Sequence, residues 1–518
     1  MLARRLGSCY KLFMVEDFKK CSRLFLSFFK QNKKLFFILL AAYCFAFIAI
    51  WRANYYYADD VGRAVVGYGW TSDFNRYSSS ALQFFLVNMN LKLVDLSPYT
   101  QVLALALTAL SSMMLIYLFS KRDKKPSFLA VAASAFLGLC PYTVACFVYK
   151  FDAPCMALAL FASILPFLFY DSRRPIFFAI STICLLVMWT SYQSYSGIYV
   201  ILTLAIALKS MMEKEKFSSI LKRTLFCVLP FFLAVVLYKF CLPEIISYRS
   251  LEVYSFTELI PGLWGNFFGV ISKVWSSFND FWKLLAVLFC AVYLISFFLQ
   301  EVSIKQKLKN FFFGSVFMIL SLAFATGATL LLKETYYPPR SFCGFSVVFA
   351  VLGLFIAYGL SDRETKHFGK IFLALPVILL LYQFFVFEIA FGNALADQWR
   401  YSSFRIETLA RDLSELFSDS SAQENVKLQI RGDIGYSAMV SHVAKEYPIM
   451  NELITDESTG LSEHVWGVRR LYYNYGLNFG DAFVALAGSY DYESMEMVKD
   501  TSYHTIYIDD DKACVVLK

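Results

Sequence analysis

Charge is scarce in this chain. Only 17% of its 518 residues are Asp, Glu, Lys or Arg, whereas a soluble domain carries about a quarter. That shortage excludes an ordinary soluble globular protein. Histidine is scarcer still, with 4 in all. His442, His464 and His504 are too scattered in the sequence to propose a metal site and read as surface residues. The 12 cysteines show no paired spacing, and most lie in or beside apolar runs, where Cys behaves as a small hydrophobe. Only Cys514 lies in the long polar tail, so no disulfide framework or zinc site is implied there. There is no Walker A loop, no Gly-rich dinucleotide loop and no Ser-His-Asp set, so energy from cytosolic ATP is not indicated. No small-residue cleavage site follows the first apolar run, so no cleaved signal peptide is expected. Internal repeats and low-complexity segments are also missing.

What is abundant is apolar surface. The chain is 58% hydrophobic and 18% aromatic, with a mean hydropathy of +0.53. Apolar runs of roughly 17–25 residues recur, each long enough to cross a bilayer. The pattern predicts a polytopic α-helical membrane protein with about eleven spans, at 35–52, 98–119, 127–147, 153–170, 175–191, 194–208, 224–242, 283–299, 311–332, 342–360 and 371–391. The net charge of +8 does not point to nucleic acid, because the basic residues are spread over short loops. Those loops alternate with less basic ones, as the positive-inside rule requires. The expected location is a bacterial inner membrane, with the N-terminus cytoplasmic and the tail periplasmic.

Three parts follow. Residues 1–34 are basic, with apolar residues at helical spacing, and predict a cytoplasmic amphipathic segment lying on the anionic leaflet. Residues 35–391 form the membrane domain. Residues 392–518 predict a small extracytoplasmic α/β domain, with a helix at Asn393–Phe417, a strand at Val426–Ile430 and a helix at Ser437–Tyr447. A hairpin of Thr505–Ile508 and Cys514–Leu517 is expected around a solvated turn of acids, Asp509–Asp511. Between spans, 243–282 carries Trp264, Phe267, Phe268, Trp275, Phe278 and Trp282 at three- to four-residue spacing. That spacing predicts an interfacial helix in the aromatic belt.

Ionisable groups gather at the outer boundary: Asp59, Asp60, Arg63, Arg76, Lys150, Asp152, Glu334 and Arg340. Such groups near membrane depth usually face a cavity and mark a functional site. Asp59 and Asp60 are adjacent, so their repulsion can raise one pKa and make a general base for a hydroxyl. The pair can hold a divalent ion or act alone, and no metal ligand set is proposed. Arg63, Arg76 or Arg340 can grip a phosphate bidentately. A phosphate at the edge of the bilayer points to a polyprenyl-phosphate substrate. Glu388 lies near the outer end of the eleventh run, either facing the same cavity or snorkelling.

An acidic pair in the first outer loop of a many-span chain resembles the GT-C glycosyltransferases. The sequence resembles more closely the type II serotype-converting O-antigen glucosyltransferases. Ala58-Asp59-Asp60-Val61-Gly62-Arg63, Gly69-Trp70, Arg76 and Asp95-Leu96-Ser97-Pro98 carry the likeness. Tyr149-Lys150-Phe151-Asp152, Met156 to Leu160, Tyr192-Gln193 and Pro339-Arg340 continue it to about residue 400. Phe74-Asn75-Arg76-Tyr77-Ser78 departs from the family's Gly-Arg-Pro-like stretch. The resemblance implies transfer of a sugar, typically glucose, from a polyprenyl-phosphate donor to an O-antigen acceptor at the periplasmic face. Asp59 or Asp60 would be the base, with Arg340 on the donor phosphate. Arg63, Arg76, Lys150, Asp152, Gln193 and Glu334 complete the expected substrate-binding set. Two other readings use similar parts: a lipid-linked-glycan flippase, which calls for inverted repeats and mid-membrane charge, and an O-antigen polymerase.

Overall fold

Backbone amides in hydrocarbon have no water to bond, so an apolar chain of this kind must satisfy them within helices. The computed structural model describes residues 2–71, 75–87, 89, 92–120, 125–242, 252–333, 337–360, 367–418, 425–455, 461, 465–479 and 490–518. Among these, eight helices are long and apolar enough to cross a bilayer: Val15–Ala53, Tyr99–Phe119, Gln193–Met212, Phe217–Cys241, Asp280–Phe298, Ile304–Phe324, Pro339–Leu360 and Ile371–Leu416. The stretch expected as a third span is instead a broken pair, Phe128–Leu137 and Pro141–Phe147, bent by 47°. Pro141 cannot donate to the preceding turn. A Cβ on Gly138 would stand 2.5 Å from the Tyr43 ring, so the break also lets the first helix come close. The stretches at 153–170 and 175–191 are shorter apolar helices, Ala153–Phe169 and Arg174–Trp189.

The first helix differs from its expected division at residue 35. It runs from Leu2 to Ala53, and only Asn32 leaves helical geometry. Below Asn32 the helix packs on protein. Asp17 pairs with Arg173 (3.0 Å), Phe18 stacks on Phe169, and Phe25 meets the edge of Tyr117. Above it, the helix lies along the last long helix, His367–Leu416. A Cβ on Gly392 would stand 2.5 Å from the Ile50 nitrogen. Such close backbone approach is how small residues hold membrane helices together.

His367–Leu416 has 50 residues, about 75 Å at 1.5 Å per residue, more than twice the hydrocarbon thickness of about 30 Å. The helix expected to start at Asn393 is therefore its direct continuation. Its far end carries a four-stranded sheet, ordered β1-β4-β3-β2, of β1 (Lys427–Arg431), β2 (Glu496–Asp500), β3 (His504–Asp509) and β4 (Lys512–Leu517). β1 is parallel to β4, and the other pairs are antiparallel. Leu428, Ile430, Ile506 and Val515 pack on Ile406, Leu409 and Leu413 of the long helix. His504, expected at the surface, is buried and bonds Asp412 at 2.9 Å. The helices Ala438–Glu446 and Met450–Leu453 belong instead to the bundle. Val440, Ile449, Met450 and Leu453 join its core, and the Tyr447 ring meets Trp282 and Phe387. The tail thus lies over the end of the bundle where Asp59 and Asp60 emerge.

Candidate functional site

The first helix ends at Ala53, and two residues after it take left-handed backbone, Asn54 (φ 48°) and Ala58 (φ 44°). A non-glycine residue rarely adopts this conformation, which is held only where its surroundings enforce it. The Ala58 turn leads into the short helix Asp60–Val66, and the two carboxylates enter different environments. Asp60 is fully buried. Its Oδ2 accepts the Tyr57 (3.2 Å) and Lys150 (2.9 Å) amides, and its Oδ1 accepts that of Phe151 (3.3 Å). Burial pushes the Asp60 carboxyl up to about 7, against the pull of the Lys150 amide, and the like charge adding to it is that of Asp152. Asp59 is half-buried, and its carboxylate has no hydrogen-bond partner among the described residues.

Asp60 makes stability depend on pH. Its carboxyl titrates near 3.8 when unfolded and near 7 in the fold, so the native state binds the proton more tightly. The contribution is complete below about pH 4, and it is lost as the pH rises through about 7. The shift corresponds to roughly 4 kcal/mol. In thermal unfolding across that range, Asp60→Asn is expected to flatten the fall in midpoint. An unchanged slope in Asp60→Asn would remove Asp60 as its source.

Behind these acids lies a layer of buried polar braces. Arg63 and Asp152 form an ion pair, both almost fully buried, with the Arg63 guanidinium 4.6 Å over the Trp70 ring. Lys150 Nζ donates to Asn54 Oδ1 (2.6 Å) and Asp95 Oδ2 (3.2 Å) and lies over Tyr56. The turn between Pro141–Phe147 and Ala153–Ile164 leaves carbonyls without helical partners. Gln101 donates to Phe147 (3.0 Å), Thr100 to Lys150 (2.6 Å) and Gln83 to Phe151 (2.6 Å). Arg63, Lys150 and Asp152, expected to bind substrate, are therefore engaged with protein groups, because a polar turn at membrane depth needs partners.

In front of the braces opens a cleft of about 250 Å³, with Tyr57, Ala58, Tyr149, Lys273, Arg340, Asn451 and Glu452 in its wall. Arg340 Nη1 donates to Tyr149 Oη at 2.6 Å. Burial pushes the Tyr149 phenol well above its usual range, so it stays neutral. Asp59 acts electrostatically on both Arg340 and Tyr149. The Tyr57 hydroxyl donates to the Leu453 carbonyl, tying the first loop to the tail. Arg470 Nη2 makes a second tie, to the Tyr56 carbonyl (3.0 Å). On the remaining wall, Lys273 Nζ lies 3.2 Å from Glu452 Oε1, which also accepts the Ser277 hydroxyl at 2.5 Å.

Of the expected site residues, Arg340 lines the cleft and Asp59 stands beside it. Arg76 lies over the Tyr192 ring at 5.0 Å, within electrostatic reach of Arg340, and burial lowers its pKa. Gln193 donates to Tyr238 Oη at 3.0 Å and does not line the cleft. Its neighbour Tyr192 is the residue that turns toward Arg76. Glu334 lies outside the described residues. Glu388 neither lines the cleft nor snorkels: it is fully buried near Tyr43 and Cys140, and neither carboxylate oxygen has a partner among the described residues. No three His, Cys, Asp or Glu side chains among those residues gather closely enough to hold a metal ion.

The sequence reading missed Lys273, Asn451 and Glu452. Lys273 had a signal, being the lone charge in the aromatic helix Leu259–Ser277. Glu452 had none, because it reaches the cleft only through the docking of the tail. Trp282, grouped with that helix in the sequence, belongs to the next one and is fully buried.

Residues 48–357 match the family model described as Glucosyl transferase GtrII, more than half of the chain. The chain is also 22% identical over 416 residues to an uncharacterized 55.3 kDa protein in the gtrB 5' region of Salmonella phage P22. That alignment covers 77% of this chain and 82% of the phage protein.

Proposed function

The chain belongs to the GtrII glucosyl transferase family, and from that premise we propose that it moves glucose from a polyprenyl-phosphate donor to a hydroxyl of an O-antigen glycan at the periplasmic face of the inner membrane. The supporting observation is a half-buried carboxylate without a hydrogen-bond partner among the described residues, Asp59, beside a cleft whose wall holds the cations Arg340 and Lys273. Asp59 is accordingly the general base, and Asp60 is the anchor that docks the first loop through three backbone amides.

The step balances as a single displacement. Asp59 takes the proton from the acceptor hydroxyl as its oxygen attacks the anomeric carbon. The bond from that carbon to the phosphate oxygen breaks, and its electron pair leaves with the polyprenyl phosphate. Arg340 faces the charge that grows on that phosphate, and stabilising developing charge is where a preorganised cation acts most strongly. One displacement inverts the anomeric centre.

The reading is tested with purified protein in detergent, polyprenyl-phosphate glucose and an O-antigen acceptor. Mass spectrometry is expected to show one hexose added to the acceptor, with the linkage inverted relative to the donor. An acceptor that stays unmodified with this donor, while another polyprenyl-phosphate sugar is transferred, would overturn the assignment of glucose. No transfer from any such donor would overturn the reaction class.

A further inference from the structure

We infer that Lys273 is a second ligand for the phosphate of the donor lipid and that Glu452 is the counter-ion which this phosphate displaces. The inference rests on the donor class proposed above and names the residues that would hold it.

The first observation is the helix that carries Lys273. Leu259–Ser277 contains no other charged residue. Ile260, Trp264, Phe268 and Trp275 recur along it at helical spacing and are 51–79% exposed. Such a helix suits a membrane interface, with its apolar face toward acyl or prenyl chains. It is also fixed in place: Asn266 Nδ2 donates to the Leu330 and Leu332 carbonyls, at 2.9 Å each. One rigid element thus offers an aromatic surface for a lipid chain and an ammonium in the cleft wall for its phosphate.

The second observation is the state of that ammonium. Its partner is Glu452 of the tail, at 3.2 Å, and the second oxygen of Glu452 is buried without a partner among the described residues. Glu452 thus meets the ammonium through one oxygen at 3.2 Å, whereas a phosphate offers several strong acceptor oxygens. A phosphate arriving between Arg340 and Lys273 would replace that carboxylate. The charge change in the reaction favours this exchange. The donor is a phosphodiester with one negative charge, whereas the departing polyprenyl phosphate is a monoester approaching two. The second cation therefore acts more strongly on the leaving phosphate than on the bound donor, which is the condition for lowering the barrier.

The two residues should respond in opposite directions. In detergent, with a short-chain polyprenyl phosphate titrated as inhibitor of glucosyl transfer, Lys273→Met is expected to weaken inhibition about tenfold, and Lys273→Arg to restore most of it. Glu452→Gln keeps its bond from Ser277 but loses its charge, and is expected to tighten inhibition several-fold. Inorganic phosphate should inhibit at least a hundredfold less well, because it lacks the chain that the aromatic face receives. Wild-type transfer with equal inhibition in Lys273→Met and Glu452→Gln would overturn this inference and leave the proposed reaction standing. Inhibition by inorganic phosphate matching that by the lipid would overturn the lipid assignment. Absence of transfer by the wild type would instead overturn the reaction on which the inference rests.

Discussion

Asp59→Asn is expected to slow glucosyl transfer by about 100- to 10,000-fold, the usual contribution of a general base, while leaving the fold as stable as the wild type. The two halves of this expectation come from one fact. Asp59 is half-buried and its carboxylate accepts no hydrogen bond among the described residues, so an amide of the same shape breaks nothing, yet it cannot take a proton. Initial rates at saturating donor, beside thermal unfolding of the same preparation, separate the two effects. Asp60→Asn should behave in the opposite way. It replaces one of two oxygens that together accept three backbone amides, so its first consequence is a loosened first loop. Undiminished transfer by Asp59→Asn would show that the base lies elsewhere. A loss of folded protein in Asp59→Asn would show that the residue is held by contacts its exposure does not suggest.

The second large effect concerns the pair behind the cleft. Arg63→Met is expected to cost about 3–5 kcal/mol, the usual result of leaving one partner of a buried ion pair uncompensated. Asp152 would then remain with only 4% of its surface exposed. Little folded protein should survive extraction. The double variant Arg63→Met, Asp152→Leu removes both charges and is expected to recover most of the stability, because well-packed apolar replacements of buried pairs are often neutral. Yield and unfolding midpoint of the two single variants and the double variant form the cycle that measures this coupling. If Arg63 instead held substrate, Arg63→Met would fold normally and raise KM, and the double variant would bring no rescue.

These two predictions divide residues that look alike in the sequence. Asp59, Asp60, Arg63, Lys150 and Asp152 are all polar groups at the edge of apolar runs, and the cost of placing them there marked all five. That cost is met in two ways, by partners within the protein or by a ligand. Lys150 is satisfied by Asn54 and Asp95, from two separate loops. Arg63 and Asp152 pair with each other across 89 residues. Neither arrangement leaves a trace in local spacing. The adjacent acids Asp59 and Asp60 also part in the fold, one half-buried and one fully buried. Residues that open a helix turn away from each other by about 100°, and the like charge acting on Asp60 is Asp152. The edge strand Glu496–Asp500 went unread because most of its residues are exposed, which leaves it without alternation.

The sequence by itself determined the membrane setting, the places of the apolar stretches, the end at which the acids emerge and the family. Each depends on run length, composition or short motifs, which are local properties of the chain. Only the tertiary structure decided which partners reach each of these side chains. It left Asp59 half-buried and Asp60 fully buried, and it engaged Arg63, Lys150 and Asp152 with protein groups. It also brought Glu452 of the tail against Lys273, through a helix that continues from the membrane into the tail. The physical reason is that a polar side chain's role follows from which partners reach it, and those partners come from segments that meet only when the helices pack.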